Sequence, residues 1–199
     1  MVAALRGRAS SGDSPVCDDP FALRLAGDDG PLLADAYART VPAIELWLGL
    51  RTARLDHVVV RLVSDDVRQI VILGAGLDTR AVRLARPGVR FFEVDQPGSQ
   101  HDKRERVRGL DDYDLGAATY VSCDFEREDF FDRLCAEGFD ADVPTLFVWE
   151  GVTYYLHEPA VRATLRTIAT RTHPRSVVAF DFFGKRFVTG AVSDEAAKE

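Results

Sequence analysis

The spacing of apolar residues along the chain changes near residue 65. From 31 to 63, Leu32, Leu33, Ala36, Tyr37, Ile44, Leu46, Trp47, Leu48, Leu50, Leu55, Val58, Val59 and Leu62 recur mostly at helical spacing. Pro42 divides that stretch into two helices, because proline has no N–H to donate inside one. After Asp65 and Asp66 the pattern becomes five short apolar runs, at 67–73, 89–94, 118–122, 145–149 and 176–182, each suited to a buried parallel strand. Between them lie segments of helical character at 78–85, 100–110, 128–137 and 158–172. The last has Pro159 in its first turn and Val161, Leu165 and Ile168 on one face. Strands alternating with helices predict an α/β fold, a mostly parallel twisted sheet flanked by helices through right-handed crossovers.

The N-terminal part reads differently. Residues 1–15 are rich in Ser, Gly and Arg without periodicity and are expected to be an irregular extension, followed by a short helical pattern from 18–21 to the glycines at 27 and 30. The expected division is an N-terminal helical extension or cap over 1–64 and a ligand-binding α/β domain over 65–199. The segment 193–199 is of low complexity, and about seventeen residues follow Phe182 where doubly wound sheets commonly add a helix and an edge hairpin. A shortened C-terminus is therefore expected.

Composition narrows the function. The 199 residues carry 25 basic and 32 acidic side chains, a net charge of −7, with 46% hydrophobic residues, enough for one globular core. The acidic balance and the lack of a basic stripe argue against nucleic acid as a partner. No apolar run reaches the length of a spanning helix and residues 1–14 lack the apolar centre of a secretory signal, so no membrane association and a cytoplasmic location are expected. Cys17, Cys123 and Cys135 are odd in number and without metal-ligand spacing, and are expected to be free thiols, with no metal.

Gly74, Ala75 and Gly76 lie between the first strand run and a helix, where glycines permit a tight turn and a close approach to a ligand. The acidic pair Glu93 and Asp95 ends the second run, Asp95 falling 19 residues after Gly76, the spacing at which a carboxylate can accept from ribose hydroxyls. An adenosine cofactor follows. The dinucleotide fingerprint places a glycine or alanine where this chain has Thr79, and Asp78 would repel phosphate but suit a cationic, amino-acid-like group. An NAD(P)-dependent oxidoreductase is thus an alternative, with S-adenosyl-L-methionine preferred.

Three segments carry a resemblance: residues 71–80 (Val-Ile-Leu-Gly-Ala-Gly-Leu-Asp-Thr-Arg), 92–97 (Phe-Glu-Val-Asp-Gln-Pro) and 150–156 (Glu-Gly-Val-Thr-Tyr-Tyr-Leu). In this order they resemble the leucine carboxyl methyltransferase family, a branch of the class I S-adenosylmethionine-dependent methyltransferases with a Rossmann-like fold, whose bacterial members include polyketide-pathway enzymes. The resemblance implies that Arg51 holds the cofactor's methionine carboxylate, that Gly74, Ala75 and Gly76 line its methionine side, and that Asp95 grips the ribose. It further implies that Asp124 and Phe125 meet the adenine, that Glu150 lies near the amino group or sulfonium, and that Tyr155, more than Tyr154, stands near the acceptor. Tyr155 and Arg51 are the candidate catalytic residues.

Methyl transfer from a sulfonium mainly requires alignment of the reacting groups. A carboxylate acceptor is ionised at pH 7, whereas a phenol with pKa near 10 must lose a proton at a cost of about 4 kcal/mol. Among His57, His101, His157 and His173 only His157 is near the expected site, and a helix cap suits it better than a base. The expected activity is O-methylation of a small-molecule carboxylate or phenol, with polyketide-type acids in view. A second expectation is a shortened relative that binds the cofactor and is non-catalytic or needs a partner subunit, such as a homo-oligomer, for turnover.

Overall fold

A computed structural model describes residues 1–125 and 127–184; the low-complexity segment at 193–199 lies outside them. In chain order the described elements are α1 (Val2–Ala9), α2 (Ala22–Ala26), α3 (Asp29–Thr40), α4 (Ile44–Ser64), β1 (Gln69–Leu73), α5 (Arg80–Arg83), β2 (Arg90–Asp95), α6 (Pro97–Val107), β3 (Ala118–Ser122), α7 (Phe130–Ala136), β4 (Thr145–Trp149), α8 (Glu158–Arg171) and β5 (Val177–Phe180). Each expected strand appears, β3 and β4 at the expected limits and the others within two residues at either end. Helix starts follow local chemistry. Pro97 and Pro159 sit in the first turns of α6 and α8, and the Asp129 side chain accepts from Phe131 N at the start of α7.

The five strands are all parallel in the order β3-β2-β1-β4-β5, with Val71 of β1 facing Phe92 on one side and Phe147 on the other. Alternate residues serve opposite faces, and both faces are covered, so β1 and β4 are apolar throughout or nearly so. Val71, Leu73, Phe92, Val94, Phe147 and Trp149 pack under α7 and α8 through Phe130, Phe131, Leu134 and Ile168. Ile70, Ile72, Phe91, Leu146 and Val148 pack against α4 and α5 through Leu55, Val59 and Ala81. The chain order reverses at β1, which leaves a crevice at the C-terminal ends of β1, β2 and β4.

The irregular extension expected over 1–15 is a helix in its first half. In α1, Ala3, Ala4, Leu5, Gly7 and Ala9 are all buried, and they meet α2, α3 and α4 on several sides. A β-carbon on Gly7 would stand 2.5 Å from Leu23 Cγ, so the crossing with α2 is set by the absence of a side chain. A helix buried on most of its surface by small residues has no apolar stripe for periodicity to detect. Arg6, in the same stretch, is also buried rather than solvated.

Replacing the fully buried Leu5 tests that docking. Leu5→Ala is expected to lower unfolding free energy by about 2–5 kcal/mol in urea titration, the cost of a cavity in a packed interface. A change within about 0.5 kcal/mol, as at exposed positions, would mean that α1 is not packed there.

Candidate active site

Two adjoining cavities, of about 250 and 260 Å³, open at the C-terminal ends of the strands and share Gly74, Val152 and Tyr155. The first is also lined by Arg51, Ala75, Gly76, Leu77, Asp78 and Glu150, and by Met1, Val2, Ala3 and Arg6 from the N-terminal helix. The second is lined by Asp95, Gln96, Asp124, Phe125 and Leu156. Every residue singled out from the sequence as a site residue therefore borders one cavity or the other. A larger cavity of about 340 Å³, between Val59, Val63, Leu84 and Pro87, lies at the opposite ends of the strands, away from where ligands bind in open α/β sheets.

The loop after β1 is shaped by its glycines and by one acid. Gly74 has φ +67°, and a β-carbon there would lie 2.5 Å from Val152 Cγ2; Gly76 has φ +48°. Asp95 at the end of β2 accepts from Gly76 N at 2.5 Å through one oxygen and from Gln96 N at 2.7 Å through the other. The acid 19 residues downstream thus fixes the loop as well as facing the cavity. Thr79 Oγ1 donates to Asp19 Oδ2 at 2.7 Å, so the residue standing where a dinucleotide site takes glycine or alanine is buried and turned inward.

Asp78 does not lend the loop an unpaired negative charge. Its carboxylate accepts from Arg80 N at 2.7 Å and pairs with the Arg80 guanidinium. Burial opposes its ionisation, but Arg80 and Arg6 hold the carboxyl below its ordinary range. The acidic pair of β2 also divides: Asp95 borders the cavity, whereas Glu93 is buried and meets Lys103 Nζ of α6 at 2.5 Å. Burial pushes Glu93 up to about 7, against the pull of Lys103.

Arg80 is the hub of a buried charge web that periodicity did not reveal. Its guanidinium reaches Asp56 Oδ1 and Glu150 Oε2, each at 2.7 Å, besides Asp78. Burial works against its charge, yet the three carboxylates raise its pKa well above the ordinary value. Glu150 also accepts from Arg51 Nε at 2.8 Å, and Arg51 Nη1 donates to Asp181 Oδ2 at 2.6 Å, just past β5. Asp181 accepts in turn from Gly151 N at 2.7 Å. On the other side Arg83 reaches Asp56 at 2.6 Å, and Arg6 donates to Asp19 Oδ2 and to the Leu77 carbonyl, both at 2.6 Å.

The two tyrosines divide the cavity mouth. Tyr155 is 77% exposed, its ring 4.8 Å from that of Tyr154. Tyr154 is half-buried; burial pushes its phenol up while the neighbouring Arg51 guanidinium pulls it down. His157 stands exposed at the N-cap position of α8. Asp124 N donates to Glu128 Oε2 at 2.9 Å, and Phe125 packs against Phe130 with ring centres 6.0 Å apart. Sequence reasoning missed Asp56, Asp181 and Arg6. Arg80 stood in plain view inside the loop motif, but nothing in its spacing marked it as buried.

Comparison with known proteins agrees with this architecture. The model of the leucine carboxyl methyltransferase family matches residues 1–169, from α1 to within α8. A candidate S-adenosyl-L-methionine-dependent methyltransferase of Streptomyces coelicolor is 34% identical over 208 aligned positions, which cover 98% of this chain and 73% of that protein. Another, of Mycolicibacterium paratuberculosis, is 33% identical over 213 positions, covering 100% and 69%. Among solved structures, a DUF574-family protein of Streptomyces avermitilis shares the fold over 99% of this chain and 75% of its own, with a TM-score of 0.60 at 17% identity. The chain belongs to the leucine carboxyl methyltransferase family, a branch of the S-adenosylmethionine-dependent methyltransferases.

Proposed function

We propose that this protein transfers the methyl group of S-adenosylmethionine to a carboxylate oxygen of a small-molecule acceptor, with polyketide-type acids as the acceptor class. The observation that carries the cofactor reading is Asp95, hydrogen-bonded to the Gly76 amide and bordering the cavity that Asp124 and Phe125 also line. Its carboxylate is suited to accept from the vicinal hydroxyls of a ribose, with Phe125 and Asp124 offering an apolar surface and an acceptor to the base. The adjoining cavity holds Arg51 and Glu150, groups of the charge needed by the carboxylate and ammonium of an amino acid.

The cofactor's carboxylate would have to share Arg51 with the two acids already bound to it. Glu150 is also tied to Arg80 and is the more buried, so Asp181, whose side chain is 19% exposed, is the partner able to yield. Bound S-adenosylmethionine supplies a methyl group already activated by its positive sulfur. What remains to the chain is to hold an acceptor oxygen in line at near-attack distance and to exclude water. Tyr155 and Tyr154, which both line the cavity beside Arg51, would contact that acceptor. Glu150 is paired with Arg51 and Arg80, Asp78 is paired with Arg80, and burial keeps the Tyr154 proton on its oxygen. This supports an acceptor already ionised at pH 7, a carboxylate over a phenol.

A second reading, turnover only as a homo-oligomer, is favoured by Val177, Phe180 and Phe182, which lie exposed on and beside β5, a strand that pairs only with β4 among the described residues. A rate per chain that climbs with protein concentration would support it.

Two outcomes test the main reading. Calorimetric titration with S-adenosylhomocysteine is expected to give micromolar binding, weakened about tenfold to a hundredfold in Asp95→Ala, the loss of hydrogen bonds to a charged acceptor. Equal affinity in both proteins would remove Asp95 from the site. With carboxylic acid acceptors the rate is expected to show no tenfold-per-unit rise between about pH 6 and 9, because their pKa lies near 4. A rate rising about tenfold per pH unit towards a pKa near 10, seen only with phenols, would replace carboxylate by phenol as the acceptor.

A further inference from the structure

Lysine occurs three times in this chain, at 103, 185 and 198, while arginine supplies the other 22 of its 25 basic residues. Lys103 is 1% exposed. An ammonium so placed is costly unless it is paired and hydrogen-bonded. Its Nζ donates to Glu93 Oε2 and to the Asp78 carbonyl oxygen, each at 2.5 Å. The first contact balances its charge. The second reaches the backbone of the loop that lines the candidate active site.

That backbone contact has a counterpart. Arg6 Nη2 donates to the preceding carbonyl, Leu77 O, at 2.6 Å. Two successive loop carbonyls are therefore each held by a buried cation, one from α1 and one from α6. Because each peptide unit is planar and trans, fixing the Asp78 carbonyl fixes the direction of the Thr79 amide. The Asp78 amide is itself turned back to Ala75 O at 2.7 Å, and Gly76 N points to Asp95. Of the side chains that hold the loop, Arg6 and Asp95 border a cavity, whereas Lys103 holds it from behind and borders neither.

We propose that Lys103 is a positioning residue for the cofactor's amino-acid end, acting by anchoring the Asp78 carbonyl; the inference rests on the methyltransferase reading above. The competing account is that Lys103 only neutralises Glu93.

The double variant Lys103→Met with Glu93→Met separates the two, because replacing a buried ion pair by apolar groups of similar volume commonly preserves folding. It removes the anchor and the charge it would otherwise balance. Amide hydrogen exchange in the ligand-free protein is expected to quicken at residues 76–79 while β1 stays protected. Affinity for S-adenosylhomocysteine is expected to fall about tenfold, the scale of one charge-assisted hydrogen bond, with affinity for adenosine alone changed less than about twofold. Unchanged exchange at 76–79, or unchanged S-adenosylhomocysteine affinity in the double variant, overturns the proposal in favour of simple neutralisation. Failure of the wild-type chain to bind S-adenosylhomocysteine would instead defeat the methyltransferase reading, while the exchange measurement would still report on the anchor.

Discussion

The arrangement at the strand ends depends on the burial of one guanidinium. Arg80 gathers Asp56 from α4, Asp78 from its own loop and Glu150 from the end of β4, and at 1% exposure it has no recourse to water. A charge buried in this way is tolerated only when its partners are in place, so the ion pairs specify where three elements stand relative to one another. The apolar clusters on either side of the sheet hold the strands together, and the charge web joins α4, the loop after β1 and the end of β4 at the crevice.

From Arg80 the web extends both ways. Through Glu150 it reaches Arg51 and then Asp181 after β5; through Asp56 it reaches Arg83, and through Asp19 it reaches Arg6 of α1. With Lys103 included, five cations (Arg6, Arg51, Arg80, Arg83, Lys103) stand among seven carboxyls (Asp19, Asp56, Asp78, Glu93, Asp95, Glu150, Asp181). An excess of acid suits a ligand with a sulfonium and an ammonium against one carboxylate. The N-terminal helix belongs to this system, since it supplies both a wall of the cavity and the cation that holds Leu77 O.

Much of this was legible in the sequence, for physical reasons that differ by element. Parallel strands covered on both faces must be short unbroken apolar runs, so β1 to β5 stood out, and α8 showed itself by Pro159 and a single apolar face. Gly74, Gly76 and Asp95 were found because a loop turning at a strand end and a carboxylate at the next one leave a fixed spacing. The helix α1 was missed because alanines and Gly7 buried on several sides have no periodicity. The partners of Arg80 are not legible because Asp56, Asp78 and Glu150 are joined only by folding, and the position of Asp78 in the loop suggests a ligand-facing acid although its arginine lies two residues away. Spacing identifies residues near a turn; it does not say which charges are already paired.

The most direct test of this account is to remove the hub. Arg80→Met would leave Asp56, Asp78 and Glu150 buried without their shared cation, and denaturant unfolding together with S-adenosylhomocysteine titration of the same variant reads both consequences. The account predicts a loss of about 3–5 kcal/mol in stability, as for other broken buried ion pairs, and loss of ligand binding from whatever folded protein remains. A variant that folds as stably as the wild type and binds with the same affinity would contradict the claim that the buried charge web sets the geometry of the site.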